Sequence, residues 1–245
     1  MIASAPVLWF DEIDSTSEEA KRRAKAGDLS PVWIAARSQV KGKGRLGRPW
    51  ISPPGNLYIT ALFPEPMGIE TATRIPFAAA LAVSDVCLGI IPNAAVRLKW
   101  PNDVRLNEAK LAGILTESGE AGGALWVSVG MGINVRFSPD GAGQAATSLI
   151  EAGAAEMLQP EHLVDDLRTA LGARVEQARF GFDATRNAWL TRAEALGRTV
   201  EAGPTDARIT GVFTGLAEDG GLEMRLPDGS AATIRAGDVD LVREV

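Results

Sequence analysis

Three residue types are nearly missing from this 245-residue chain: it has one cysteine, one histidine and one tyrosine. A single cysteine excludes an internal disulfide and any cysteine-based metal centre. Cys87 lies inside the apolar run FAAALAVSDVCLGII and reads as a small buried core residue. His162 falls within a predicted helix and reads as a surface residue. An excess of positive charge is missing too: 25 Lys and Arg stand against 31 Asp and Glu, for a net charge of −6. That balance argues against a general nucleic-acid binder, which carries a basic face. The N-terminus MIASAPVLWFDEI has no basic region followed by a long apolar core, so no signal peptide is expected. No run reaches the roughly 20 apolar residues that cross a bilayer. The chain therefore reads as cytoplasmic.

What is present fits a globular protein with a sizeable core. Apolar residues make up 46% of the chain and charged residues 23%. VLWF predicts a first strand. DSTSEEAKRRAKAG predicts a helix, with Ser15 and Thr16 each three residues ahead of a glutamate and Gly27 at the stop. PVWIAARSQ and NLYITALF predict two further strands around a glycine-rich loop. ATRIPFAAALAVSDVCLGII predicts a buried helix with Pro76 in its first turn. AVRLKW, KLAGILTES and ALWVSVGMGINV predict strands separated by PNDV and by Gly122–Gly123. Helices are expected over PEHLVDDLRTALGARVEQARF and near RNAWLTRAEAL. After Leu196 the runs shorten and alternate, with Asp219–Gly220 and Asp228–Gly229 as hairpin turn signals. This predicts a small all-β module of about 50 residues, at the low end of domain size.

Against the acidic background, KGKGRLGRPW gathers Lys41, Lys43, Arg45 and Arg48 with three glycines. Gly42, Gly44 and Gly47 satisfy G-x-G-x-x-G, but Pro49, Trp50 and Pro53–Pro54 follow, where a dinucleotide-binding loop needs a helix. A Walker loop would end in Gly-Lys-Ser/Thr, which is absent, and the His-Arg-Asp of protein kinases is missing. The loop is either a solvated turn or a cradle for a small anionic ligand.

Three later stretches favour the cradle. In RLKWPNDV, Pro101 biases Trp100 to extended backbone and so holds Lys99 in a strand. Asn102 and Asp103 follow at the strand end; Asp103 is a turn residue, a metal ligand or a partner that orients Lys99. KLAGILTE sets Lys110 ahead of Gly113, a strand glycine of the kind that marks close approach. VGMGINV ends on Asn134, whose amide can pair with an adenine edge.

With these residues in order, the chain resembles a biotin protein ligase. The resemblance rests on DEIDSTSEEA, QVKGKGRLGRPWISPPGNLY, LKWPNDV, KLAGILTE and VGMGIN, over roughly residues 9 to 136, and more loosely on the C-terminal module. It implies an α+β fold: a mixed β-sheet with flanking helices, of the class II aminoacyl-tRNA synthetase-like type, over residues 1–195. An SH3-like β-barrel is implied over 196–245. The form implied is the short, monofunctional one without an N-terminal DNA-binding domain, because the first catalytic strand starts by Val7.

The resemblance further implies a two-step reaction. Biotin and MgATP give biotinyl-5′-AMP and pyrophosphate, and the anhydride then acylates a lysine of a biotin carboxyl carrier domain. Arg45 and Lys110 would be catalytic. Ser15, Thr16, Gln39, Gly42 and Gly113, with Arg45 and Lys110, would hold biotin. Lys43, Arg45, Arg48, Trp50, Lys99, Asn102, Asp103, Lys110 and Asn134 would hold ATP or the adenylate, and Asp103 the Mg2+. Lys43 stands where the family more often has arginine, so the charge is kept and the planar fork lost. Ser15 or Thr16 has a second reading as a helix cap, and Trp50 as a core aromatic. Neither nucleic acid nor membrane is implied as a partner; a homodimer formed by sheet-edge pairing is. The rivals are a lipoate or octanoate protein ligase, which would lack this loop, and a non-catalytic biotin sensor, in which Arg45, Asp103 and Lys110 need not all survive.

Overall fold

The computed structural model describes residues 2–139 and 145–242. Its larger sheet has seven strands: β1 (Val7–Ile13), β2 (Val32–Gln39), β3 (Leu57–Pro64), β4 (Val96–Lys99), β5 (Asp103–Leu106), β6 (Ala109–Ala121) and β7 (Ala124–Ile133). They lie in the order β1-β2-β3-β7-β6-β5-β4. Only β1 and β2 run parallel; every other neighbouring pair is antiparallel. Helix α1 (Thr16–Lys25) packs on β2, β3 and β7, while α2 (Ile69–Ile90) packs on β4, β6 and β7 with α3 (Val164–Arg179) beside it. Central strands so enclosed read as continuous apolar runs rather than alternating ones, and β3 is buried along all but its last residue.

Local chemistry explains most boundaries. The β6–β7 hairpin turns on Gly122 and Gly123, whose φ values of +57° and +78° are the pair that a tight I′-type turn demands. Helix α1 stops where Gly27 takes φ +83°. Its start differs from a side-chain cap. Ser15 occupies the N-cap position with extended backbone but makes no capping bond. The Thr16 N–H instead donates to Gln39 Oε1 at 2.8 Å, so a neighbouring strand satisfies the helix end.

Pro76 lies at the eighth position of α2 rather than in its first turn, because the helix begins earlier, after Gly68 at φ +88°. The proline leaves the Ala72 carbonyl without its i+4 donor. By length and composition α2 could cross a bilayer, contrary to the expectation that no segment could. Here it is the core helix, with Ile75, Ala79, Ala82 and Val83 buried. PNDV is not a simple separator either: Asp103 and Val104 open β5, which returns antiparallel along β4. His162 lies in a short 3-10 turn, Pro160–Leu163, that leads into α3.

Helix α4 (Phe182–Thr191) connects to the second sheet, β8 (Thr199–Gly203), β9 (Ile209–Leu216), β10 (Leu222–Arg225), β11 (Ala231–Ile234) and β12 (Asp238–Leu241). Gly220 and Gly229, at φ +80° and +87°, make the two predicted turns. The strand order is β11-β10-β9-β8-β12, antiparallel throughout, and no ladder joins β11 to β12 among the described residues. The expected barrel is therefore an open five-stranded sheet. It docks on the larger sheet where Trp100 Nε1 donates to Gly220 O at 3.0 Å.

Candidate active site

A cavity of about 540 Å³ opens between the large sheet, the 41–50 loop and β12. Every site residue anticipated from the sequence except Gly42 lines it: Ser15, Thr16, Gln39, Lys43, Arg45, Arg48, Trp50, Lys99, Asn102, Asp103, Lys110, Gly113 and Asn134. The two ends of the cavity differ in chemistry.

The inner end is polar but uncharged. Gln39 Oε1 accepts from Thr16 N at 2.8 Å and from Thr16 Oγ1 at 3.2 Å. Thr60 Oγ1 donates to Thr16 Oγ1 at 2.8 Å and lies 3.4 Å from Ser17 Oγ. Gln39 Nε2 donates to Ser52 Oγ at 2.9 Å, which in turn donates to Trp50 O. Side chains so interlocked are fixed in place before any ligand arrives. Ser17, Ser52 and Thr60 were not singled out in the sequence, because isolated hydroxyl residues carry no spacing signal.

The other end is ionic. Lys110 Nζ lies 2.7 Å from Asp103 Oδ1, and both side chains are largely shielded, 17% and 12% exposed. The approach is off the hydrogen-bond axis, so Asp103 Oδ1 accepts no hydrogen bond in spite of its burial. Register explains the meeting: Asp103 pairs with Gly113 across β5 and β6, and Arg105 pairs with Lys110 beyond a bulge. Lys110 Nζ also sits 5.4 Å from the centroid of the Trp50 ring.

The loop turns back on itself. Gly44 N donates to Arg48 O at 2.7 Å, and Trp50 N donates to Gly42 O at 2.9 Å. Leu46 and Gly47 both take left-handed backbone, φ 56° and 73°. Three of the loop cations, Lys43, Arg45 and Arg48, have carboxylate partners. Lys43 Nζ is 2.7 Å from Glu18 Oε1, Arg48 Nη2 is 2.6 Å from Asp238 Oδ2, and Arg45 Nη1 is 3.6 Å from Asp238 Oδ1. Arg45 also donates to Asn102 Oδ1 at 3.3 Å and to Gly237 O at 3.4 Å. Burial pulls the Arg45 guanidinium below its ordinary pKa, against the pull of Asp238 and Asp103. Its hydrogen bond to Asp238 pushes Arg48 the other way. Lys99 Nζ reaches Asp240 Oδ1 at 3.0 Å. Burial raises the Asp240 carboxyl, but Lys99 and Arg208 outweigh it and hold it below the ordinary range.

The glycines also make room for contacts within the chain. A side chain at Gly42 would strike Trp50 O and Ser52 Oγ, so its bareness serves closure of the loop. A Cβ on Gly113 would lie 2.8 Å from the Trp50 ring, and one on Gly132 only 2.5 Å from it. These two glycines are register partners on β6 and β7. They form a bare patch on which the indole rests, with its Nε1 buried and unpartnered. Asn134 is likewise engaged by protein: it donates to Thr147 O at 3.0 Å and accepts from Asn56 at 3.5 Å.

Comparison with known proteins joins the two halves of the chain. Residues 9–134 match the biotin/lipoate A/B protein ligase family, and residues 195–242 match the biotin protein ligase C-terminal domain. The chain belongs to the biotin protein ligases. A biotin–[acetyl-CoA-carboxylase] ligase of Paracoccus denitrificans is 38% identical over 88% of this chain and 92% of its own length. The bifunctional ligase/repressor BirA of Escherichia coli K12 is 30% identical over 94% of this chain and 72% of its own. Among solved structures, a biotin protein ligase of Aquifex aeolicus in complex with biotin and ATP superposes with a TM-score of 0.80 at 30% identity, covering 98% of this chain and 99% of that one. The C-terminal match coincides with the sheet that delivers Asp238 and Asp240, which sequence reasoning missed. Their one signal is the spacing Asp-Val-Asp, which puts both carboxylates on the same strand face.

Proposed function

We propose that this chain activates biotin with MgATP to biotinyl-5′-AMP and pyrophosphate, then transfers the biotinyl group to a lysine of a biotin carboxyl carrier domain. The observation that carries the reading is the polarity of this cavity. A neutral hydrogen-bonding end, Thr16 and Gln39, faces a cationic end, Arg45, Arg48, Lys99 and Lys110. That order matches the product adenylate: a neutral ureido ring, an acyl anhydride, then a phosphate.

Ser15, Thr16 and Gln39 take the ureido ring. In the first step a carboxylate oxygen of biotin attacks the α-phosphorus and the bond to pyrophosphate breaks. Lys110 and Arg45 offset the charge that gathers there. Lys43 and Arg48 add charge from the loop. The Trp50 indole covers the adenine from its glycine bed, and Asn134 has one N–H group left to offer. In the second step the acceptor ε-amine attacks the acyl carbon, the bond to AMP breaks, and the ammonium proton is lost.

Magnesium fits this donor set. Mg2+ characteristically takes one or two carboxylates and completes its shell with phosphate and water. Asp103 offers one shielded carboxylate, whose Oδ1 lies against Lys110 Nζ, and no three metal-ligating side chains cluster among the described residues. Bound with the nucleotide, the ion would neutralise phosphate charge. Residues 1–195 would form the catalytic unit and residues from 196 on the module that closes it, in the cytoplasm where ATP is supplied. The outer edge of β1, which has no strand beside it among the described residues, is where a second copy would pair.

Mass spectrometry of the products from MgATP with biotin, lipoate and octanoate in parallel, without a carrier, tests the reading. Biotinyl-adenylate alone is expected. A lipoyl or octanoyl adenylate would replace the acid in the proposal, and no adenylate from any acid would overturn it.

A further inference from the structure

The five cations that line the cavity, Lys43, Arg45, Arg48, Lys99 and Lys110, face three carboxylates, Asp103, Asp238 and Asp240. Two of those carboxylates come from β12, nearly 200 positions after the loop. A carboxylate beside a polyphosphate site repels the substrate, so its presence calls for a task that outweighs that cost.

We propose that Asp238 is the latch of the 41–50 loop: a positioning residue that keeps Arg45 and Arg48 over the cavity when no polyphosphate holds them. The inference rests on the ligase reading. During activation the triphosphate attracts both arginines. Once pyrophosphate has left, a single negative phosphate remains, too little to hold two guanidinium groups. Asp238 then takes up the difference, through Arg48 at 2.6 Å, Arg45 at 3.6 Å and the adjoining Gly237 carbonyl at 3.4 Å from Arg45. The loop thus stays shut over a hydrolysable anhydride until the acceptor lysine arrives. Strand geometry places the latch. Asp238 and Asp240 flank the buried Val239, which anchors β12, and both line the cavity. Asp240 holds Lys99, not the loop, which makes Asp238→Asn a selective change.

Two measurements on the whole chain test this. In the first, ligand-free protein is digested with trypsin under native conditions and cleavage after Lys41, Lys43 and Arg45 is timed. Asp238→Asn is expected to speed cleavage about fivefold, the scale of a partly exposed ion-pair network, and Asp238→Glu to restore the parent rate. In the second, biotinyl-adenylate release from the protein is timed after pyrophosphate formation. Release should quicken by a similar factor in Asp238→Asn while the rate of pyrophosphate formation changes far less. Combining Asp238→Asn with Arg48→Gln should add little to either single effect. An unchanged trypsin rate, or additive effects on release, would overturn the latch. Failure of adenylate formation in the parent protein would instead strike the ligase reading, and the trypsin result would stand apart from it.

Discussion

Lys110 Nζ and Asp103 Oδ1 lie 2.7 Å apart on neighbouring strands, shielded from solvent and roofed by the Trp50 ring. A cation so placed is fixed in position by the sheet and needs no reorganisation to meet developing charge. Removing its carboxylate partner would leave a shielded, unpaired charge, which costs more than the pair contributes.

Lys110→Ala should therefore lower the rate of adenylate formation by about 10²–10³, the scale for one preorganised donor. Pyrophosphate release with saturating biotin and ATP measures it. Unchanged release would remove Lys110 from the reaction, whereas a raised KM with the same kcat would assign it to binding alone.

Arg45→Gly removes the loop's inner guanidinium, which links Asn102, Gly237 and Asp238. Adenylate should then escape and acylate lysines indiscriminately. Peptide mapping of a bystander protein in the reaction mixture would find biotin on many surface lysines. Labelling confined to the carrier lysine would contradict the lid role of the loop.

Most elements and the loop were legible because they depend on local chemistry. Apolar runs mark the central strands and alternation the C-terminal ones, Gly27 stops α1, and Asp219–Gly220 and Asp228–Gly229 turn the C-terminal hairpins. The clustering of Lys43, Arg45 and Arg48 announced a site because it defied the chain's overall charge. What escaped was set by tertiary partners. β5 is only four residues long and begins in a turn-like Asn-Asp pair, so it reads as a loop until β4 and β6 flank it. The capping duty expected of Ser15 is met by Gln39 from β2. Gly113 was expected to face a ligand, and only the folded chain reveals that Trp50, 63 positions earlier, rests there. Asp238 carries no local signal beyond the Asp-Val-Asp spacing, since its partners lie about 190 residues away.

Cys87 offers a check on the core. Burial pushes its thiol up to about 12, and the side chain is 1% exposed in α2. It should resist alkylation at neutral pH until the protein unfolds, so iodoacetamide labelling should follow the denaturation curve. Rapid labelling of native protein would mean that α2 does not pack as described.

Asp14 links acid stability to the start of α1. Its carboxylate grips Arg22 through both oxygens, at 2.7 and 2.9 Å, and accepts from Ser15 N. The hydrogen bond from Arg22 holds its pKa down to about 2, from an ordinary value of 3.8. A depressed carboxyl contributes stability that is complete above the unfolded pKa and is lost as pH falls through the folded one. Because the pair is partly exposed, Asp14→Asn should cost less than about 1 kcal/mol near neutrality. Denaturation of both proteins should show that gap closing between pH 4 and 2. A gap that persisted at pH 2 would assign the effect to lost packing.

Gly132→Ala separates the two readings of Trp50. The strand backbone accepts alanine there, but its Cβ would sit 2.5 Å from the indole, which must move. If the ring covers adenine from this bed, the KM for ATP should rise about tenfold, the scale of one aromatic contact. The KM for biotin and the unfolding midpoint should change little. Trp50→Ala should then have a smaller effect on ATP in the Gly132→Ala background than in the parent, because the two changes remove the same contact. If Gly132→Ala lowered the unfolding midpoint and left the KM for ATP intact, Trp50 would be a core aromatic, and adenine would have to be held by other groups.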